Sequence, residues 1–353
     1  DGPSAAAAAP ALQRPHAVWR AASWNELPGW SSDRTAAAWP AFERSCARPA
    51  PEWRATCAAA RAAKFDAESA DRDIRAWFER WTQPYRIESG DGRRDGLVTG
   101  YFEPLVAASR VRSAEFAQPL YAPPADLQTR KPYWTRRQID LAASAQRSLR
   151  GREIAWVRDR LDVLLLQVQG SGRLAFAGER GAPPQVVRIA FAAHNDQPYV
   201  SVGRWLVERG ELTLEQASWP AIRAWARQHP HRLDELLHAN PRYVFFREEP
   251  LPDPTLGPKG AQGTALLPGR SIAVDPQSVP FGTPVWLDTT RPLSSRPLQR
   301  LVVAQDTGAA ITGAVRADYF WGWGAEAEAE AGRMKQPLRM WALWPKSGAA
   351  ATP

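Results

Sequence analysis

No run of apolar residues approaches the ~18 that a membrane-spanning helix needs. In 353 residues methionine occurs twice, lysine five times and cysteine twice. Cys46 and Cys57 lie eleven positions apart in a region that reads as helical, with no histidine nearby, a poor arrangement for a metal. In a reducing compartment they would be two buried thiols; in an oxidising one they could pin two adjacent helices together. The histidines, His16, His194, His229, His231 and His238, form neither an HExxH nor a Cys/His pair at zinc spacing, so no metal is expected. No GxxxxGK followed by Ser or Thr occurs, and no GxGxxG follows a strand, which removes the common nucleotide-binding loops. No cofactor is expected. The chain begins at Asp1 without methionine or signal peptide and reads as a mature or trimmed product, which leaves its compartment open.

What is present is a globular composition, 44% hydrophobic and 23% charged, long enough for one large domain or two ordinary ones. The 17 tryptophans and 32 prolines exceed average usage, and so many prolines exclude a pure helical bundle. The net charge is +8 (45 basic minus 37 acidic). That balance suits a polyanion: nucleic acid, an anionic membrane, or a cell-wall glycan carrying peptide carboxylates. The basic residues are scattered, however, and no Lys/Arg block forms a nucleic-acid arm. An Arg- and Ala-rich chain reflects a GC-rich genome equally well.

Residues 1–31 read as mostly irregular. Helices are expected at 33–47, with Asp33 as N-cap, at 51–63 and at 66–82, their tryptophans packing a core. A strand fits 96–104, and 105–150 looks turn-rich and poorly periodic. Val163–Gln169, Gly170-Ser171-Gly172 and Arg173–Phe176 read as a hairpin, followed by a strand at Val186–Ala192. Helices follow at about 200–209, 213–228 and 231–239, then strands at Tyr243–Phe246, Ser271–Val274, Val285–Leu287, Leu301–Ala304 and Met340–Leu343. Blocks of helix between short strands indicate an α+β protein with a barrel or sandwich core rather than a doubly wound fold.

Two motifs bear on chemistry. Gln169-Gly170-Ser171-Gly172-Arg173, with His194 and Asp196 downstream, has the look of a serine nucleophile elbow, but Gln169 stands where the elbow needs glycine. A glycine-flanked turn approaching a ligand is the better account. The second motif starts with an apolar strand that delivers Asp306 into a glycine-interrupted turn; Asp318 follows twelve residues later among Tyr319, Phe320, Trp321 and Trp323. A carboxyl group among aromatics is partly desolvated, which raises its pKa and keeps a fraction protonated near neutrality. Such a proton donor is what cleavage of a glycosidic bond requires. The plainer alternative is that Asp306 caps a turn and Asp318 a loop. Glu326, Glu328 and Glu330 read as a solvated helix face.

Several further stretches accompany these. They are Thr99-Gly100-Tyr101-Phe102-Glu103-Pro104, Val168–Gly172, Gln197–Gly203, Asn240–Phe246, Gly260–Thr264, Ser271–Asp275 and Ala304–Trp323. In that order, over about 96–345, they resemble the membrane-bound lytic murein transglycosylase A family, whose C-terminal segment is the 3D domain. The resemblance implies a mainly β fold with α (α+β). A double-psi β-barrel catalytic domain would take 1–103 and 241–353 with the N-terminal helices, an inserted smaller β-barrel domain would take 104–240, and a groove would lie between them.

The resemblance also implies the reaction: non-hydrolytic cleavage of the β-1,4 bond between N-acetylmuramic acid and N-acetylglucosamine in peptidoglycan, leaving 1,6-anhydromuramyl ends. Asp318 matches the catalytic aspartate. Asp306 and Asp275 match the two other named aspartates, Asp306 counted with Asp318 in the catalytic site in a supporting role and Asp275 with a substrate-binding role, and Tyr101, Gln169, Gly170, Ser171, Tyr199 and Tyr243 are the implied glycan contacts. Glu103 is left without a role. Cys46 and Cys57 match paired positions in some relatives, and a periplasmic substrate then implies a disulfide. The implied partners are peptidoglycan glycan strands, with other murein-synthesis or murein-hydrolysis proteins possible, and no nucleic acid. The implied place is the periplasmic face of the outer membrane, reached through a lipid anchor absent from this chain. A non-catalytic, expansin-like glycan-binding barrel and a hydrolytic endoglucanase with a second acid are the competing classes.

Overall fold

A computed structural model of the chain describes residues 10–178 and 181–346. In chain order the strands are β1 (Leu12–Arg14), β2 (Ala17–Ala21), β3 (Thr82–Glu88), β4 (Gly96–Glu103), β5 (Leu105–Ser109), β6 (Gln118–Tyr121), β7 (Glu153–Val157) and β8 (Ser171–Phe176). They continue with β9 (Gln185–His194), β10 (Val244–Glu249), β11 (Ser271–Val274), β12 (Pro284–Thr290), β13 (Pro297–Asp306), β14 (Arg316–Trp323) and β15 (Lys335–Pro345). The chain divides into two compact units. One comprises Asp1–Tyr101, Leu256–Gly322 and Arg333–Pro353; the other comprises Phe102–Thr255 and Trp323–Gly332. The second unit thus runs on to Thr255 and takes a C-terminal segment, both of which the sequence reading placed with the barrel.

In the first unit β4, β15, β12, β13, β11 and β14 follow one another around a closed barrel, and β3, β2 and β1 extend it from β15. β15 serves two partners in turn: Lys335–Leu338 pairs with β4, and Trp341–Pro345 pairs with β3. β11 and β13 run parallel, whereas β11 and β14 run antiparallel. Along β13 the alternation of side chains separates two cores. Val302 and Ala304 pack inside the barrel with Ile272, Val285, Leu287 and Met340. Leu301 and Val303 pack outside it, with Trp286, Trp341 and Leu343, against the N-terminal helices. Because both faces are covered, the strand reads as a continuous apolar run.

Many of the tryptophans belong to this outer layer. Trp39, Phe42, Trp53, Trp77 and Phe78 come from helices Trp39–Ser45, Arg54–Ala63 and Asp71–Trp81 and the short turn Pro51–Trp53, and they meet mostly edge to face. Asp33 does not cap a helix. Its carboxylate is buried and takes both terminal nitrogens of Arg270 at 2.8 and 3.1 Å and the Leu301 N–H at 3.0 Å, which ties the N-terminal segment to the barrel. Cys46 and Cys57, both buried, are bonded with an S–S distance of 2.07 Å and join two of these helices.

The second unit holds a six-stranded sheet in the order β10-β9-β8-β5-β7-β6, with β5 and β8 parallel. Here the sequence reading needs correction. Arg160–Gln169 is a helix, not the first strand of a hairpin. The Asp159 side chain caps it by accepting from the Leu161 N–H at 2.8 Å, and Gly170 ends it with φ +76°. Val163 and Leu166 face the sheet while Leu161 and Leu164 face helices Val202–Glu208, Trp219–Gln228 and Leu233–His238. A short helix covered on two sides has no polar stripe, so its apolar run carries no helical period. Three other stretches differ. Residues 12–21 form the β1–β2 pair, 105–150 contains β5, β6 and helices Arg136–Leu141 and Ala143–Leu149, and 316–323, to which the sequence reading gave no strand, is β14.

Closing an eleven-residue separation in the unfolded chain accounts for about 3 kcal/mol of stability. A Cys46→Ala/Cys57→Ala variant is expected to lose about that much in urea unfolding. Dithiothreitol should bring the wild type down to the variant and leave the variant unmoved.

Candidate active site

The register around β11 brings two carboxyl groups together. Ala273 lies opposite Asp318 on its antiparallel neighbour β14 and opposite Asp306 on its parallel neighbour β13. The second pairing depends on an irregularity. Ile272 faces Ala304, and the register then skips Gln305, so that Asp306 and not Gln305 comes level with Ala273. A bulge re-aims a side chain in this way. The skipped Gln305 is fully buried and held by three partners: its amide donates to Ala41 O and Ser45 Oγ at 2.8 Å each, and its Oε1 accepts from Ser271 Oγ at 2.7 Å.

β4 closes the barrel beside β14. It starts at Gly96, where a Cβ would lie 1.7 Å from the Val315 carbonyl oxygen, so only glycine permits that approach. The strand then places the Thr99 hydroxyl to donate to Asp318 Oδ1 at 2.8 Å and the Tyr101 hydroxyl to donate to Asp306 Oδ2 at 3.0 Å. The other Asp306 oxygen accepts from the Ala261 N–H at 2.9 Å. Ala261 belongs to a tight loop in which Gly260 packs so close to Gln305 that a Cβ would meet its carbonyl at 2.4 Å. The Tyr101 ring packs on Phe320, with centroids 5.3 Å apart.

Asp318 is half-buried, and desolvation by the surrounding protein pushes its carboxyl up to about 6. The Thr99 hydrogen bond and the Arg316 guanidinium pull the other way, and the Asp306 charge adds to the rise. The aromatic surroundings expected from sequence are only partly those observed. Tyr319 turns into the barrel core and Trp321 packs against it, on the opposite face of β14. Phe320, two residues on, shares the Asp318 face, but both Tyr319 and Phe320 are fully buried and offer no surface to a sugar. The Tyr101 hydroxyl is held well above the usual phenol range by burial, then by the charges of Asp306 and Asp318, so it remains a donor.

Asp275 has a different place from that expected. It is 4% exposed, and its Oδ2 accepts from the Gly313 N–H and meets His16 Nδ1, each at 2.8 Å, while Oδ1 accepts from the Gln277 N–H at 2.9 Å. Burial raises its carboxyl, but these hydrogen bonds outweigh burial and hold it below the ordinary value. Asp275 therefore fastens the turn after β11 to the 307–313 loop and presents no free oxygen to a ligand. In the second unit Gln169, Gly170 and Ser171 form the helix-to-strand turn, with Gln169 exposed. Tyr199 is 49% exposed, whereas Tyr243 is 4% exposed and packs among Tyr121, Tyr133 and Phe245, a core position rather than an open platform. Glu103 is buried between Arg173 at 2.9 Å and Arg188 at 2.8 Å. Glu328 lies on helix Gly324–Arg333 and pairs with Arg223, so that helix face is not simply solvated.

Sequence reasoning gave no role to Thr99, Ala261, Gln305 or Arg316. All four lie inside motifs already noted, but their roles come from register and loop closure, which no motif states. Among the described residues no three His, Cys, Asp or Glu side chains group closely enough to hold a metal ion, and no helix is long and apolar enough to cross a membrane.

Residues 97–247 match the MltA specific insert domain family, and residues 270–344 match the 3D domain family. The membrane-bound lytic murein transglycosylase A of Vibrio cholerae is 32% identical over 267 residues, covering 74% of this chain and 68% of that protein. The lytic transglycosylase LtgG of Burkholderia pseudomallei superposes with a TM-score of 0.74 at 44% identity, covering 97% of this chain and 99% of that one. MltA of Escherichia coli with bound chitohexaose gives 0.66 at 26% identity over 88% of this chain and 90% of that one. With an α+β fold, both family domains and a relative matched over two thirds of its length, the chain belongs to the membrane-bound lytic murein transglycosylase A family of enzymes.

Proposed function

We propose that this lytic transglycosylase cleaves the β-1,4 bond between N-acetylmuramic acid and N-acetylglucosamine in peptidoglycan, with Asp318 acting first as acid and then as base. The observation that carries the reading is a single carboxyl group lifted by burial to about 6, so that about half of it is protonated at pH 6 and about a tenth at pH 7. Protonated Asp318 gives its proton to the bridging oxygen as the C1–O bond breaks. The muramyl C6 oxygen then attacks C1, its proton passes to the Asp318 carboxylate, and a 1,6-anhydro ring closes. Atoms balance without water, and the acid is regenerated.

An ordinary glycosidase needs a second carboxylate as nucleophile or as base for water. Here the nucleophile is tethered to the sugar, and proximity replaces that residue. Asp306 supports this division of labour. Both its oxygens are engaged, by Tyr101 and Ala261, which suits a fixed acceptor near the reacting carboxyl and not a free nucleophile. We assign Tyr101 and Asp306 to positioning. Gln169, Ser171 and Tyr199 are the glycan contacts we propose in the second unit; Tyr243 and Asp275 act from within their cores. The cellular place we propose is the periplasmic face of the outer membrane, with attachment through a lipid anchor.

Asp318→Asn on isolated sacculi should cut release of anhydromuropeptides by at least about 100-fold while sacculus binding persists. Release at the wild-type rate, or products with reducing ends, would overturn the mechanism. The rate should fall as pH rises through about 6, because the acid is lost. Thr99→Val removes a donor that favours the carboxylate and should move that alkaline limb upward. Ionised Asp318 also weakens the fold: its folded pKa lies above the ordinary value, so its contribution worsens as pH rises from about 4 to about 6. Asp318→Asn should therefore raise Tm more at pH 8 than at pH 4.

A further inference from the structure

A cavity of about 750 Å³ opens in the barrel unit beside the start of β13. It is distinct from the Asp318 site: none of Thr99, Tyr101, Ala261, Asp306 and Asp318 lines it, although Arg270 in its wall stands three positions before Ala273 on the chain. Its lining contains Arg34, Arg270, Arg291 and Arg300, and Asp33 alone carries negative charge there. Asp33 is already fully engaged by Arg270 and the Leu301 N–H. No carboxylate among the described residues forms an ion pair with Arg34, Arg291 or Arg300, so three arginines of the lining have no acidic partner.

Arg300 is fixed rather than trailing in solvent. Its Nη1 donates to the buried Tyr319 hydroxyl at 2.9 Å, and that hydroxyl donates to the Gly269 carbonyl at 3.0 Å. Gly269 has φ +71°, and a Cβ there would lie 2.9 Å from Arg300 Nη1, so glycine leaves room for the guanidinium. Like charges held around one concavity repel unless an anion sits among them. Guanidinium groups present paired N–H donors that match the two oxygens of a carboxylate or a phosphate.

We infer that this cavity is a second binding site, for a small molecule bearing an oxyanion, either a carboxylate or a phosphate. The test uses calorimetry on the full chain with three probes: inorganic phosphate, N-acetyl-alanyl-alanine, and the C-terminal amide of that dipeptide. Phosphate, the free dipeptide or both should bind, more weakly as salt rises, while the amide does not. Binding by phosphate alone identifies a phosphate site, and binding by the dipeptide alone identifies a peptide-carboxylate site. An Arg34→Gln/Arg291→Gln variant should weaken binding about tenfold or more with Tm not lowered and sacculus digestion unchanged. Arg34 is exposed and Arg291 half-buried, so the fold does not depend on them. Asp318→Asn should bind the probes as the wild type does, which separates this site from the proposed catalytic one. The inference fails if neither oxyanion binds below about 10 mM, if the amide binds equally, or if the arginine variant binds unchanged.

Discussion

The pairing of β11 with β13 on one side and β14 on the other is the constraint from which the site follows. β11 is four residues long and buried throughout, and its partners bring one aspartate each to Ala273. On the β13 side this depends on the skipped Gln305, whose buried amide and carbonyl are satisfied by Ala41, Ser45 and Ser271. A bulge leaves one residue unpaired in the ladder, and it persists where that residue finds other partners. Here the partners come from the first N-terminal helix and from β11 itself. The helical layer therefore does more than cover tryptophans: it holds the register that places Asp306.

Around that register the barrel treats its three named aspartates unequally. Asp275 is as buried as a core residue, yet three hydrogen bonds lower its pKa, so it is a structural tie. Asp306 keeps both oxygens occupied. Asp318 receives one hydroxyl donor against a larger desolvation, and its pKa rises. Burial alone does not predict direction; the number of donors satisfied by the carboxylate decides it. The residue left under-satisfied is the one suited to carrying a proton, and a conflict of that kind between stability and activity is what the proposed catalytic role would entail.

The two units solve a polar problem in similar ways. Asp33–Arg270 in the barrel and Glu103–Arg173–Arg188 in the second unit are buried charge clusters linking segments far apart in sequence. Removing one partner from such a cluster leaves a charge without water or counterion, which costs more than the pair contributes. Arg173 adds a cation–π contact, 3.6 Å from the Trp323 ring centroid, and so draws the C-terminal segment into the second unit. Covering Arg160–Gln169 on two faces serves the same end, and it also erased the periodicity that would have marked the segment as helical.

The α+β class, the N-terminal helices at 39–45, 54–63 and 71–81 and the strands at 96–103, 271–274 and 301–304 were legible in the sequence, because amphipathic period and β-rich apolar runs are local properties. The aspartate cluster was legible as a motif, and so was the idea of a desolvated carboxyl. What could not be read was why Asp318 is desolvated. Alternation along β14 sends Tyr319 to one side and Asp318 to the other, and the groups that enclose the carboxyl arrive from β4, more than two hundred positions away. The same limit separated Tyr243 and Asp275 from the surface and left Gln305 unnoticed. Residue type and local period are written in the chain itself. Which side of a strand meets which neighbour was settled only when the barrel closed and one residue was left out of step.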